Sequence, residues 1–174
     1  MNPPPSASNP PDVEPWLRGP ISGVHPALAP VLHSFTQVRE DLALHTAGLS
    51  GEAVWRRVGA APALGFQLRH IAGSVERLVT YLCGEQLSAE QIATLKTEGA
   101  PGTPLEDLLA AVNASLDAAA ARVQAIDPAT LWDARFVGKK RLPTTVIGLL
   151  VHVAEHTQRH LGQAITTAKL VREA

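Results

Sequence analysis

The segment VHVAEHTQRHLGQ, residues 151–163, lies within the longest helical pattern of the chain and decides the predicted fold. That pattern covers residues 145–171, and its apolar face is centred near Leu150, Leu161, Ala164 and Ala168. His152, His156 and His160 follow at intervals of four and form a stripe at the edge of that face. Adjacent members lie close enough to bind one cation, but the outer two are about 12 Å apart along the axis. A metal centre would therefore need a ligand from elsewhere in the chain.

Three further segments have the same helical period, so we predict an all-α four-helix bundle with short accessory helices. The approximate bounds of these segments are residues 26–46, 64–83 and 104–126. A short turn capped by Ser50 is expected around Trp55, and a short helix is expected after Ser88, where SAEQ is a capping box.

Two further patterns concern the ends of helices and the connections between them. TPLE, residues 103–106, reads as a second capping box, with Pro104 at the first helical position. Residues 134–145, ARFVGKKRLPTT, predict a hairpin or an irregular loop, because Gly138 and Pro143 interrupt them. Strand content should otherwise be minimal.

The beginning of the chain has a different composition from the rest. Nine of the 14 prolines fall within the first 30 residues. We predict a disordered, proline-rich arm over residues 1–22 and one bundle domain over residues 23–174.

Composition excludes several classes of function. The formal net charge is -1, and the densest basic run is only Lys139-Lys140-Arg141, so we expect no nucleic-acid partner. Neither a signal peptide nor an apolar run of about 18 residues is evident, so we expect no membrane association. The single cysteine, Cys83, fits a reducing compartment, and we predict a cytoplasmic protein.

A histidine on the second long helix could complete a metal centre. His70, in FQLRHIAGSVERL (residues 66–78), also lies at the edge of its helix's apolar face. One histidine from this helix facing two from the last helix would leave a coordination position open to water or substrate. The alternative is that these histidines are surface or hydrogen-bonded core residues, in a bundle that binds no metal.

LRHIAGSVERL (residues 68–78) and LLVHVAEHTQRHLGQ (residues 149–163) together resemble the DinB-like (DinB/YfiT) family of metal-binding helical bundles. The resemblance covers about residues 26–171. It implies that His70, His156 and His160 are the metal ligands, and that the ion is divalent: zinc first, with nickel, iron or manganese as alternatives.

The resemblance leaves three neighbouring residues to interpret. His152 becomes the spare histidine: it either contacts a molecule bound to the metal or is a partly buried residue satisfied by backbone or water. Many relatives have an arginine where this chain has Leu161. Gly162 is interpreted as a position of close helix packing.

The resemblance implies a thiol S-transferase that uses a low-molecular-weight thiol, or a metal-dependent hydrolase. A non-catalytic metal-binding stress-response protein is a further alternative. Glu76 and Glu155 are predicted to lie on the solvent sides of their helices, and the lack of a general base favours thiol activation. The expected partners are a small-molecule substrate and, from the family, a second copy in a homodimer.

Overall fold

Helices account for most of the fold in the computed structural model, which describes residues 13–173. In chain order they are α1 (Ala29–Thr46), α2 (Gly51–Trp55), α3 (Leu64–Leu82), α4 (Ala89–Thr97), α5 (Leu105–Gln124) and α6 (Val146–Glu173). The four long helices, α1, α3, α5 and α6, confirm the predicted all-α bundle, and α2 and α4 are its short accessory helices.

The accessory helices begin where the sequence predicts. The Ser50 side chain accepts a hydrogen bond from the Ala53 N–H at the start of α2. At α4, Ser88 and Gln91 form the complete reciprocal capping box. These caps satisfy N–H groups that a helix start leaves without partners.

The predicted capping box at Thr103 is wrong. Helix α5 begins at Leu105, Pro104 is its N-cap, and no side chain caps it. The oxygens of Thr103 are used elsewhere: its carbonyl accepts from the Trp55 indole, and its hydroxyl accepts from Arg69. Tertiary contacts to α2 and α3 have therefore replaced the local cap.

A hairpin connects α5 to α6, which settles the alternative that the sequence left open. Strands β1 (Ala134–Val137) and β2 (Leu142–Thr145) are antiparallel. The intervening turn uses Gly138, at φ +70, a conformation that favours glycine. Because α6 begins immediately after β2, the hairpin fixes where the histidine-bearing helix starts.

Helix α6 packs between α1 and α3, and α3 also packs on α5. Gln158 donates to Ser34 of α1, and Arg172 donates to the His45 carbonyl further along α1, so α1 and α6 run parallel. The apolar face of α3 is buried in the core: Leu64, Leu68, Ile71, Val75, Val79 and Leu82 are each at most 1% exposed.

The predicted N-terminal arm lies outside the described residues as far as Asp12. From Val13 onward the chain runs against α1. Pro15 begins a short 3-10 turn and is buried, and the Arg18 guanidinium binds both oxygens of Glu40 at 2.6 and 2.7 Å.

Within residues 13–173, none of the helices has both the length and the apolar content that crossing a bilayer requires.

Candidate metal centre

Three imidazoles converge between α3 and α6. His70 comes from α3, and His156 and His160 come from one face of α6. One ring nitrogen of each lies within 4.8 Å of one nitrogen of each other ring. The ring centroids of His70 and His160 are 4.2 Å apart, and those of His156 and His160 are 4.6 Å apart. The structure thus brings together the three residues predicted as ligands.

The spacing of the nitrogens fits a metal ion. The Nε2 atoms of His70 and His156 are 3.1 Å apart. Two nitrogens bound to one tetrahedral zinc at about 2.0 Å lie about 3.3 Å from each other. The convergent ring nitrogens are therefore compatible with a divalent metal site without a large rearrangement.

The far side of the His70 ring is held by a buried carboxylate that the sequence analysis missed. Glu98, directly after α4, is 3% exposed, and its Oε2 accepts from His70 Nδ1 at 2.7 Å. Arg77 lies 2.7 Å from its other oxygen. Burial raises the pKa of Glu98, but the hydrogen bond from His70 and the adjacent Arg77 cation lower it by more, so its pKa falls below the usual range. An ionised Glu98 keeps the His70 proton on Nδ1 and leaves Nε2 free to bind a metal.

Gly73 makes room for this ion pair. A Cβ at residue 73 would lie 2.6 Å from Arg77 Nη1 and 2.7 Å from Glu98 Oε1. The glycine thus lets Arg77 and Glu98 meet against the surface of α3.

Gln67 plays the corresponding role for His160, and it too was missed. It is 1% exposed, and its Oε1 accepts from His160 Nδ1 at 2.9 Å. The bond directs His160 Nε2 away from Gln67. The position offers a retrospective signal, since Gln67 precedes His70 by three residues on the same face of α3.

His152 lies beside the centre but outside the convergent group. Its side chain is 46% exposed, its Nδ1 is 3.4 Å from Glu155, and its ring centroid is 5.3 Å from that of His156. The interpretation as a partly buried histidine does not fit this exposure. Contact with a metal-bound molecule stays a prediction.

Leu161 and Gly162, which follow His160, have different environments. Leu161 is 2% exposed and belongs to the core. The interpretation of Gly162 as a close-packing position is wrong, because no described atom lies within 4 Å of a Cβ built there, apart from its chain neighbours and the adjacent backbone of α6. Its α-carbon borders open space instead.

The environment of His156 and His160 favours their neutral form. Burial lowers the pKa of His160 to about 4, and the nearby His70 and His156 add to that effect. Burial and His70 also lower the pKa of His156. Neutral imidazoles are the form that binds metal ions.

We predict that the metal-free protein loses stability as the pH falls from 6.5 toward 4. The unfolded His160 takes up a proton near pH 6.5, whereas the folded one does so only near pH 4. Between these values the unfolded chain binds more protons, so acid favours unfolding. Above pH 6.5 His160 is neutral in both states, and the free energy of unfolding no longer depends on its titration. Urea unfolding of chelator-treated protein near pH 7 and near pH 5 measures the effect.

The control for this pH dependence is His160→Gln, which should make it shallower, with the contribution of His156 remaining. Equal or greater stability of the wild type near pH 5 would contradict the prediction.

A comparison with known families gives one match. Residues 34–164 match the family model described as the DinB superfamily. The matched region begins within α1, ends within α6 and includes all three convergent histidines. No curated protein matches the chain.

Proposed function

The chain belongs to the DinB superfamily, and we propose that it is a metal-dependent enzyme that activates a low-molecular-weight thiol for transfer of its sulfur to a carbon electrophile. The observation that carries the proposal is the convergence of His70, His156 and His160 with no carboxylate among the metal-competent side chains of this group, within residues 13–173. Zinc is the ion we propose first, since neutral imidazoles at this spacing suit it. Nickel, iron and manganese are alternatives.

Some residues of the site would bind the ion, and others orient the imidazole rings. His70, His156 and His160 would hold it, while Glu98 and Gln67 fix two of the rings from behind. A divalent ion, when bound, lowers the pKa of a thiol or water that binds to it. Three protein ligands leave room for such a molecule.

Neither carboxylate near the centre is free to act as a general base, and this favours thiol chemistry over hydrolysis. Glu98 is engaged by His70 and Arg77 behind the ring, and Glu155 is exposed and binds Arg159. Neither is placed as a general base for water. A thiol, with an ordinary pKa of about 8.5, loses its proton far more easily than water and needs no such base.

The proposed transfer is a substitution at carbon. The thiol proton passes to solvent, and the sulfur electron pair forms the new S–C bond. The leaving group departs from carbon with the electrons of its former bond.

Zinc-loaded, untagged protein incubated with a thiol panel and monochlorobimane tests the proposal. We expect thiol consumption above the uncatalysed rate, lost in His156→Ala. A cobalt-loaded sample should change its absorption spectrum when a thiol binds. No spectral change with any thiol would overturn the proposal. Ester hydrolysis without thiol would instead support the hydrolase, and metal-dependent thermal stability with neither reaction would support a non-catalytic role.

A further inference from the structure

A cavity of about 490 Å³ lies beside the histidine centre, along α6 after His160. Gln67 lines it, and the same side chain bonds His160 Nδ1 through its oxygen. The cavity and the centre therefore share one buried residue.

The amide nitrogen of Gln67 has no hydrogen-bond partner among the described residues, although the side chain is 1% exposed. A buried donor left without an acceptor is energetically unfavourable. An acceptor atom on a ligand in the cavity would remove that cost. Gln67 is thus suited to bind a ligand with its nitrogen while it orients His160 with its oxygen.

The remaining wall supplies donors and a cation but no acid. Its polar side chains are Arg159, Gln163, Thr166 and Thr167, and no Asp or Glu of the described residues belongs to the lining. Arg159 also binds Glu155, but a guanidinium has five N–H donors, so this pair leaves donors for a ligand. Such a wall matches a carboxylate, which accepts hydrogen bonds and carries negative charge.

Gly162 keeps part of the wall open. It lies within α6, where a glycine is less favourable than an alanine. Packing against the rest of the fold gives no reason for a glycine, because a Cβ at this position would meet no described atom within 4 Å beyond its chain neighbours and the adjacent backbone of α6. Since Gly162 lines the cavity, a larger side chain there would occupy ligand space.

We propose that this cavity binds the carboxylate of a carboxylate-bearing thiol, with Gln67 Nε2 and Arg159 as donors, while the thiol lies at the histidine centre. The identity of the ligand as a thiol rests on the proposed function. The carboxylate preference rests on the cavity wall.

Cobalt-loaded, untagged protein titrated with 3-mercaptopropionate and with cysteamine tests the proposal, with the absorption spectrum as the readout. The affinity ratio of the two thiols is compared between wild type and Gly162→Leu, because their intrinsic acidities cancel in that comparison. We expect the preference for 3-mercaptopropionate to fall at least about tenfold in Gly162→Leu, the size of about 1.4 kcal/mol.

Controls separate blocking of the cavity from damage to the fold. Lys169→Leu adds the same side chain at an exposed position of α6 outside the lining and should keep the wild-type ratio. Gly162→Leu should retain one ion per chain and an undiminished melting temperature. Arg159→Gln should lower the ratio without filling the cavity.

The outcomes distinguish the two proposals. An unchanged ratio in Gly162→Leu, with both thiols bound, overturns the carboxylate site and leaves thiol activation standing. No spectral change with either thiol overturns thiol activation and the carboxylate site with it.

Discussion

His156→Ala lowers the affinity of the protein for zinc by more than about 100-fold, whereas His152→Ala leaves it nearly unchanged. Loss of a residue that merely orients a ligand costs about 10–100-fold in metal affinity, and loss of a ligand should cost more. The contrast follows from position: His156 Nε2 lies 3.1 Å from His70 Nε2, while His152 is exposed and outside the convergent group. Competition with a chromophoric chelator measures the affinities.

The two histidines make a matched pair, because they lie one turn apart on the same helix and their substitutions remove the same atoms. Unfolding by urea should show both variants to be folded. Equal losses of affinity in both would contradict the assignment, as would wild-type affinity in His156→Ala.

Arg77→Met destabilises the protein by about 3–5 kcal/mol, the usual result of removing one partner from a buried ion pair. Arg77 is 7% exposed and Glu98 is 3% exposed, so water cannot replace the lost cation. The pKa of Glu98 should then rise, because Arg77 is one of the groups that lower it. Urea unfolding at neutral pH measures the loss of stability.

The double variant Arg77→Met/Glu98→Gln is the control for this prediction. Since it removes both charges, it should be less destabilised than Arg77→Met alone. The deficit of Arg77→Met relative to wild type should also shrink as the pH falls, because a Glu98 with a raised pKa takes up its proton in the folded variant at a higher pH than in the wild type. A single variant within about 0.5 kcal/mol of wild type, the ordinary range for surface substitutions, would contradict the role of the pair.

Helices were predictable from the sequence because their signals are local. The apolar periodicity of α3 and the caps at Ser50 and Ser88 depend on residues within a few positions of one another. The start of α5 was predicted incorrectly because Thr103 contacts Trp55 and Arg69, which lie 48 and 34 residues away in the chain. No local pattern reports such contacts.

In the candidate centre, too, the residues with a local sequence signal were predicted and those without one were missed. His156 and His160 are paired by helix geometry alone, and His70 was placed by its position at the edge of a second apolar face. Glu98 was not found because it follows α4, a helix with no buried residues and hence no pattern pointing inward. Its importance appears only when the chain brings it to the His70 ring.

We propose that His70, His156 and His160 bind one divalent ion and leave one coordination position open. Zinc-edge X-ray absorption of zinc-loaded, untagged protein shows which atoms bind the ion. We expect three imidazole nitrogens at about 2.0–2.1 Å, no sulfur in the first coordination sphere, and one sulfur at about 2.3 Å after a thiol is added. Fewer than three imidazoles, or a sphere of oxygens, would contradict the account.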